Sequence, residues 1–208
     1  LPWLHTKFIV FLAIFSIGLG LRLLRQVPRL LSLAAPIALS CALWMFSFYV
    51  LYGKFDPEAP YGAYTQLFVL TSNIPHGLLG LFLDQKFGLL VYSPIYLLAC
   101  AGAWFGLRDA RWRYASVFLL LTIAAFVGST ARLYMFWGGS SAPARFFVPV
   151  LPCLAPFVAL AVARAQSAAA RAVAGGWLVA GVAIAALGIA SPEWLMLFSD
   201  PHGRTRLL

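Results

Sequence analysis

The chain has 208 residues, 62% hydrophobic and 10% charged, with a mean hydropathy of +0.89. A soluble domain carries roughly 25% charge and about 45–50% apolar residues, and surface-to-volume scaling gives a chain of this size no interior large enough to hide the excess. Composition therefore excludes a soluble globule and a disordered chain. It leaves an all-α, polytopic membrane helical bundle, in which lipid covers the apolar side chains.

Lys and Arg number 15 against 6 Asp and Glu, a formal net charge of +9 and a pI near 10.0. No basic stripe alternates with exposed aromatics, so nucleic acid is excluded as a partner. Arginines at helix ends instead hold loops on the cytoplasmic side and meet anionic headgroups of the lipid bilayer.

The chain opens Leu1-Pro2-Trp3-Leu4-His5 and runs into an apolar segment. It lacks the basic n-region and small-residue cleavage site of a signal peptide. It reads as the interior of a longer polypeptide, so a missing N-terminal half is expected as its partner.

A spanning helix needs about 20 apolar residues, since a rise of about 1.5 Å per residue must cover roughly 30 Å of hydrocarbon. Six stretches meet or approach that requirement: Phe8–Leu24, Leu31–Tyr52, Gly88–Leu107, Tyr114–Ala131, Phe146–Ala163 and Ala172–Ala190. Ser93-Pro94 predicts a kink inside the third. Gly175, Gly176, Gly181 and Gly188 in the last suit close helix packing in lipid. Apart from Arg22, the six stretches hold no Asp, Glu, Lys, Arg or His. That weakens an ion- or proton-coupled transporter.

Between these stretches one set of loops is short and basic, with Arg22, Arg25 and Arg29, then Arg108, Asp109, Arg111 and Arg113, then Arg164 and Arg171. The positive-inside rule puts these in the cytoplasm and both termini outside. The other set holds Lys7, Lys54, Lys86, Arg132 and Arg145 with most of the acids. We expect one transmembrane domain over 1–208. Its outer loop, 53–87, is broken by the turn-rich Asp56–Gly62 and by Ser72–Gly77, and 66–83 lies at the interface or dips in. A spanning 66–83 would invert everything after it. The tail, 191–208, reads as an outer interfacial segment.

Cys41, Cys100 and Cys153 lie in apolar runs without CxxC spacing and read as small buried hydrophobes. No two histidines stand at i, i+3 or i+4, so neither a metal site nor a cofactor is read.

Chemistry is expected on the outer side. The strongest candidate is the segment from Arg132 to Phe147. Arg132 and Arg145 bracket Tyr134, Trp137, Gly138 and Gly139. Guanidinium groups bind phosphate bidentately, a glycine pair lets the backbone approach a ligand, and aromatic faces suit sugar rings or isoprenoid chains. The simpler reading is an interfacial aromatic belt with snorkelling arginines. A second set, His76, Asp84 and Lys86, could bind phosphate (Lys86) or relay a proton (His76 and Asp84). Its simpler reading is a turn histidine beside a surface ion pair. No residue is read as catalytic.

Two phrases carry a resemblance: Gly80-Leu-Phe-Leu-Asp-Gln-Lys-Phe-Gly-Leu-Leu-Val-Tyr-Ser-Pro94, and Trp137-Gly-Gly-Ser-Ser-Ala-Pro-Ala-Arg-Phe-Phe-Val-Pro-Val-Leu-Pro152. With Pro2–Phe8 they resemble the C-terminal half of bacterial GT-C-type integral membrane glycosyltransferases, the relatives of protein mannosyltransferases and lipid A aminoarabinose transferases. Related sequences carry Gly-Gly-Trp and then Gly-Pro-Arg-Tyr. Here Ser140 stands for the tryptophan, Ala142 and Ala144 flank Pro143, Phe146 stands for the tyrosine, and Arg145 is retained. The resemblance implies a polyprenyl-phosphate-linked sugar donor, an acceptor on the extracytoplasmic face of the bacterial inner membrane, and an inverting displacement. It makes Arg132 and Arg145 the phosphate ligands, with Lys86 a weaker one. The catalytic carboxylate would lie upstream of Leu1, leaving this chain alone inactive. A non-catalytic scaffold or assembly subunit is the alternative, and a transporter or lipid flippase the third reading.

Overall fold

The computed structural model describes Trp3, residues 5–138 and residues 143–190, with Gln66 described by its backbone alone. The expected tail 191–208 therefore lies outside the described residues, as do Gly139, Ser140, Ser141 and Ala142. Among the described residues every regular element is a helix and no strand forms, which makes the class all-α. Among the described residues, five helical segments are long and apolar enough to cross a membrane: Thr6–Leu23, Val27–Tyr52, Arg113–Ala131, Arg145–Arg164 and Ala168–Ala190. The chain divides into two compact units, Leu1–Val69 and Leu70–Leu208, with the division inside the expected outer loop.

In the first unit a 3₁₀ turn, Thr6–Phe8, leads into α1 (Ile9–Leu23). The chain then reverses tightly, the Gln26 N–H donating to the Leu23 carbonyl at 2.7 Å. Next comes α2 (Val27–Tyr52), with Pro28 in its first turn, where a missing N–H costs nothing. It continues through Pro36 and stops at Gly53, whose φ of +69° and N–H bond to the Tyr49 carbonyl form a left-handed cap. Only 6% of the most apolar stretch of α2 is buried in the protein. Lipid is what can cover the remainder. Among the described residues of this unit the buried groups are Phe11 and Trp44, the latter edge-on to Phe48 at 5.3 Å. The unit ends with α3 (Tyr64–Phe68).

The second unit begins with a 3₁₀ turn at Thr71–Asn73 and α4 (Ile74–Leu83). At ten residues, α4 reaches about 15 Å, half the hydrocarbon thickness. The stretch 66–83 is divided into two short helices, α3 and α4, as the sequence reading expected, but Pro75 falls inside α4 rather than in the break. It sits in the first turn, where its fixed φ is compatible with helix. The expected span Gly88–Leu107 is likewise not one rod. It is α5 (Leu89–Tyr92), a 3₁₀ turn over Pro94–Leu97, and then α6 (Leu98–Arg108). Pro94 cannot donate to the α5 ladder, and Ser93 takes up an extended-like φ of −143°. The result is a break rather than a kink.

The remaining helices are α7 (Arg113–Ala131), α8 (Leu151–Arg164, entered through a 3₁₀ turn at Arg145–Val150) and α9 (Ala168–Ala190). Core packing centres on α7, a third of which is buried. Phe126, Phe147, Val150, Phe157 and Leu89 are all at most 2% exposed. Thr122 and Thr130 are buried there too, and each hydroxyl donates to the carbonyl four residues back, at 2.8 and 2.9 Å. Neither leaves an orphaned polar group in an apolar setting.

Glycine sets the helix spacing at Gly102, while Gly188, one of the four glycines read from the sequence, is buried on α9. A Cβ on Gly102 of α6 would overlap the Phe157 carbonyl of α8, so the two backbones touch there. Gly175 and Gly176 of α9 meet nothing within 4 Å, and Gly181 lies 3.6 Å from the Tyr92 carbonyl. The cysteines also differ from expectation: Cys153 is buried, Cys41 half-buried and Cys100 exposed on α6. Helix periodicity turns Cys100 outward while its neighbour Ala99 faces the core.

The two ends of the second unit differ in chemistry. At one, Arg164 pairs with Asp109 at 2.9 Å and Arg108 lies over the Trp104 ring at 3.9 Å. Asp109 Oδ1 accepts from the Arg111 N–H, and Arg113 Nε donates to the Leu107 carbonyl. These bonds gather the expected basic loop. The 19 residues of α7 then cover about 28 Å and deliver Arg132 to the opposite end.

Candidate functional site

That opposite end is built from two connections, 84–88 between α4 and α5 and 132–150 between α7 and α8. Asp84 shapes the first. Its Oδ1 accepts from the backbone N–H groups of Lys86 at 2.8 Å and Phe87 at 3.0 Å, and its carbonyl accepts from Gly88 at 2.8 Å. Any Cβ at position 88 would come within 2.6 Å of Asp84 backbone atoms, so the turn closes only on glycine. The carboxylate is thus engaged as a turn cap. His76 stands eight residues earlier, about 12 Å along α4, with its ring edge-on to Phe136 at 5.4 Å. The structure does not bring His76 and Asp84 together, and a direct proton relay between them has no geometry here.

The second connection begins with the Arg132 carbonyl, which accepts from the Leu70 N–H and from Asn73 Nδ2, both at 3.0 Å. These bonds fix the Arg132 backbone, and the residue is exposed. Aromatic rings follow. Phe136 and Trp137 meet at 5.2 Å and 90°, Tyr134 and Trp137 at 6.0 Å, and Phe87 and Trp137 at 6.4 Å. Phe136 is buried against α4, where Gly80 has no room for a side chain. Gly138, at φ +86°, ends this stretch in a conformation open to glycine.

Beyond the residues outside the description, the Ala144 N–H donates to the Phe87 carbonyl at 2.9 Å. Ala144 itself takes a left-handed φ of +54°, unusual for a residue with a Cβ. This turn aims Arg145 back along the connection, and its Nη1 donates to the Gly138 carbonyl at 3.5 Å. That contact is long for a hydrogen bond, and a guanidinium carries five N–H donors. Arg145 is exposed and keeps donors to offer.

The structure therefore brings Arg145, Gly138, Tyr134, Trp137 and the Asp84–Lys86 turn to one end of the unit, with Arg132 at its edge. Gly139 lies outside the described residues, and His76 stands apart across Phe136. Sequence reasoning missed Phe87 and Ala144, whose mutual bond joins the two connections. No local signal marks a bond between two backbones. Among the described residues no three His, Cys, Asp or Glu side chains converge as metal ligands.

Fold and site together define a class, a multi-pass all-α membrane protein with an aromatic and cationic cluster at one end of its second unit. Beyond that class, no family model, curated protein or solved structure matches the chain.

Proposed function

We propose that this chain is the donor-binding part of a membrane glycosyltransferase that moves a sugar from a polyprenyl-phosphate donor to an acceptor on the extracytoplasmic face. The observation that carries the reading is the Ala144–Phe87 bond, which sets Arg145 beside the Asp84–Lys86 turn at one end of the helices. A lipid-linked phosphate lies at the depth where spanning helices end, and cations at that level meet it without being buried in hydrocarbon.

In the reaction an acceptor hydroxyl attacks the anomeric carbon as the bond to the phosphate oxygen breaks. The hydroxyl proton passes to a carboxylate supplied from outside this chain. The departing polyprenyl phosphate gains negative charge, which Arg132 and Arg145 stabilise as it develops, with Lys86 adding a third positive group. Tyr134 and Trp137 offer faces to the sugar or the isoprenoid. The basic loop at Arg108–Arg113 is cytoplasmic on this reading, and both ends of the chain lie outside the inner membrane.

The test is binding of a polyprenyl phosphate to the complete protein and to its Arg145→Ala and Arg132→Ala variants. We expect at least a tenfold loss in each. Unchanged affinity in both removes the phosphate role and with it the glycosyltransferase reading.

A further inference from the structure

A cavity in the first unit belongs to none of this chemistry. It measures about 330 Å³ and is lined by Tyr52, Lys54, Asp56, Glu58, Gly62 and Thr65. We propose that it binds a small zwitterion carrying a primary ammonium and a phosphate, the chemistry of phosphoethanolamine, presented by a phospholipid headgroup. The proposal is independent of the glycosyltransferase reading.

Charge placement carries the argument. Lys54, Asp56 and Glu58 line one space, yet among the described residues neither carboxylate comes within ion-pairing distance of the Lys54 ammonium. The backbone explains the separation. Gly53 turns the chain at φ +69°, and Tyr49 and Phe55 stack at 4.7 Å and 9°, bracing the start of the loop. Asp56 Oδ1 accepts from the Glu58 N–H at 2.8 Å, and the Asp56 carbonyl accepts from Ala59 at 3.1 Å. The loop is thus shaped by its own bonds, and Asp56 Oδ2 and the Glu58 carboxylate are left to a ligand.

A simple anion would satisfy Lys54 and face two carboxylates, whereas a simple cation would leave Lys54 unanswered. A ligand with both charges answers all three. Its cation is best a primary ammonium, which has three N–H donors for the two carboxylates. The carbonyl end of α2, which closes at Tyr52, adds partial negative charge on the same side. A quaternary ammonium has no donor to give. Lys54 suits the phosphate as a compact point charge.

Position selects the source. The cavity begins at the last residue of a 26-residue apolar helix, where a span meets the headgroups. Tyr49, Tyr52 and Phe55 are exposed around it as an interfacial aromatic group. The volume sits at the low end of the roughly 300–1,000 Å³ of ligand sites, which suits a headgroup.

The test uses the protein in detergent micelles, titrated with phosphatidylethanolamine, phosphatidylcholine and phosphatidylglycerol of identical acyl chains, with bound lipid counted by native mass spectrometry. Phosphatidylethanolamine is expected to bind at least tenfold more tightly than the other two. Asp56→Asn with Glu58→Gln should bring that preference to within twofold while preserving the turn, since the asparagine Oδ1 still accepts from Glu58's position. Equal affinity for ethanolamine and choline lipids in the unmodified protein overturns the proposal, as does a preference that survives the double substitution. Free O-phosphoethanolamine serves as a competitor. Displacement of lipid at millimolar concentration supports the zwitterion site with a soluble source, and its failure supports the headgroup.

Discussion

The backbone of Ala144 donates to the carbonyl of Phe87 at 2.9 Å, and Phe87 in turn hangs from the Asp84 carboxylate at 3.0 Å. One acidic side chain thereby holds the turn on which the α7–α8 connection rests. Asp84→Ala removes an acceptor that satisfies two N–H groups at once. We expect a loss of about 1–2 kcal/mol, the range for losing a cap. Asp84→Asn keeps an oxygen in the same place and should cost much less. Thermal unfolding in detergent separates the variants. If the asparagine variant matches alanine, the negative charge rather than the cap is what matters at this turn.

Helix spacing makes a second, sharper contrast. Gly102→Ala would push a methyl group into the Phe157 carbonyl, and a backbone cannot move aside as a side chain can. Overpacking of this kind costs typically about 1–3 kcal/mol, and here it should separate α6 from α8. Gly175→Ala meets nothing within 4 Å, and in a helix it should gain a few tenths of a kcal/mol up to about 1 kcal/mol. The order of melting temperatures, Gly175→Ala at or above the unmodified protein and Gly102→Ala well below, checks both. Similar melting for the two would mean that α6 and α8 do not touch at this point.

The Arg164–Asp109 pair is expected to matter little. Its side chains are 49% and 29% exposed, and exposed pairs are worth about 0–1 kcal/mol after solvent screening. Asp109→Asn keeps the acceptor that holds the Arg111 N–H and loses only the charge. Its melting temperature should fall by a degree or two at low salt and converge with that of the unmodified protein at high salt. A large, salt-independent loss would point to the turn bond instead.

How much of this was legible beforehand follows from the range of each interaction. Hydrophobic runs fix which segments are apolar rods, so four of the six expected spans emerge with boundaries close to those read, and Phe8–Leu24 becomes α1 with its 3₁₀ lead-in. Gly88–Leu107 runs between the two ends of the unit as two helices rather than the single kinked one expected, because composition does not register that Pro94 leaves α5 a single turn. Glycine content drew attention to α9, yet tight contacts fall at Gly77, Gly80, Gly102 and Gly106, where the partner is a carbonyl, a ring or a hydroxyl distant in sequence. In the site, Arg145 and Asp84 were legible by charge. Their mutual arrangement was not, since it runs through the backbones of Phe87 and Ala144, and neither residue type announces a role.

The separation of the two ends of the second unit is open to direct labelling. Ala110 lies in the loop before α7 and Tyr134 just after it, with 19 helical residues between them. At about 1.5 Å per residue that is about 28 Å, close to the thickness of the hydrocarbon core. Both positions are exposed. With Cys41, Cys100 and Cys153 replaced by alanine, a single cysteine at Ala110 should react with a membrane-impermeant maleimide only from the cytoplasmic side. One at Tyr134 should react only from the other. The expectation of which side is which rests on the positive-inside rule, since Arg108, Arg111 and Arg113 flank Ala110. Labelling of both from one side would mean that α7 lies along the membrane, and Arg132 could not then meet a phosphate on the far face. Opposite labelling with the sides exchanged would keep the bundle and turn it over, placing the aromatic cluster in the cytoplasm, where a donor for extracytoplasmic transfer could not reach it.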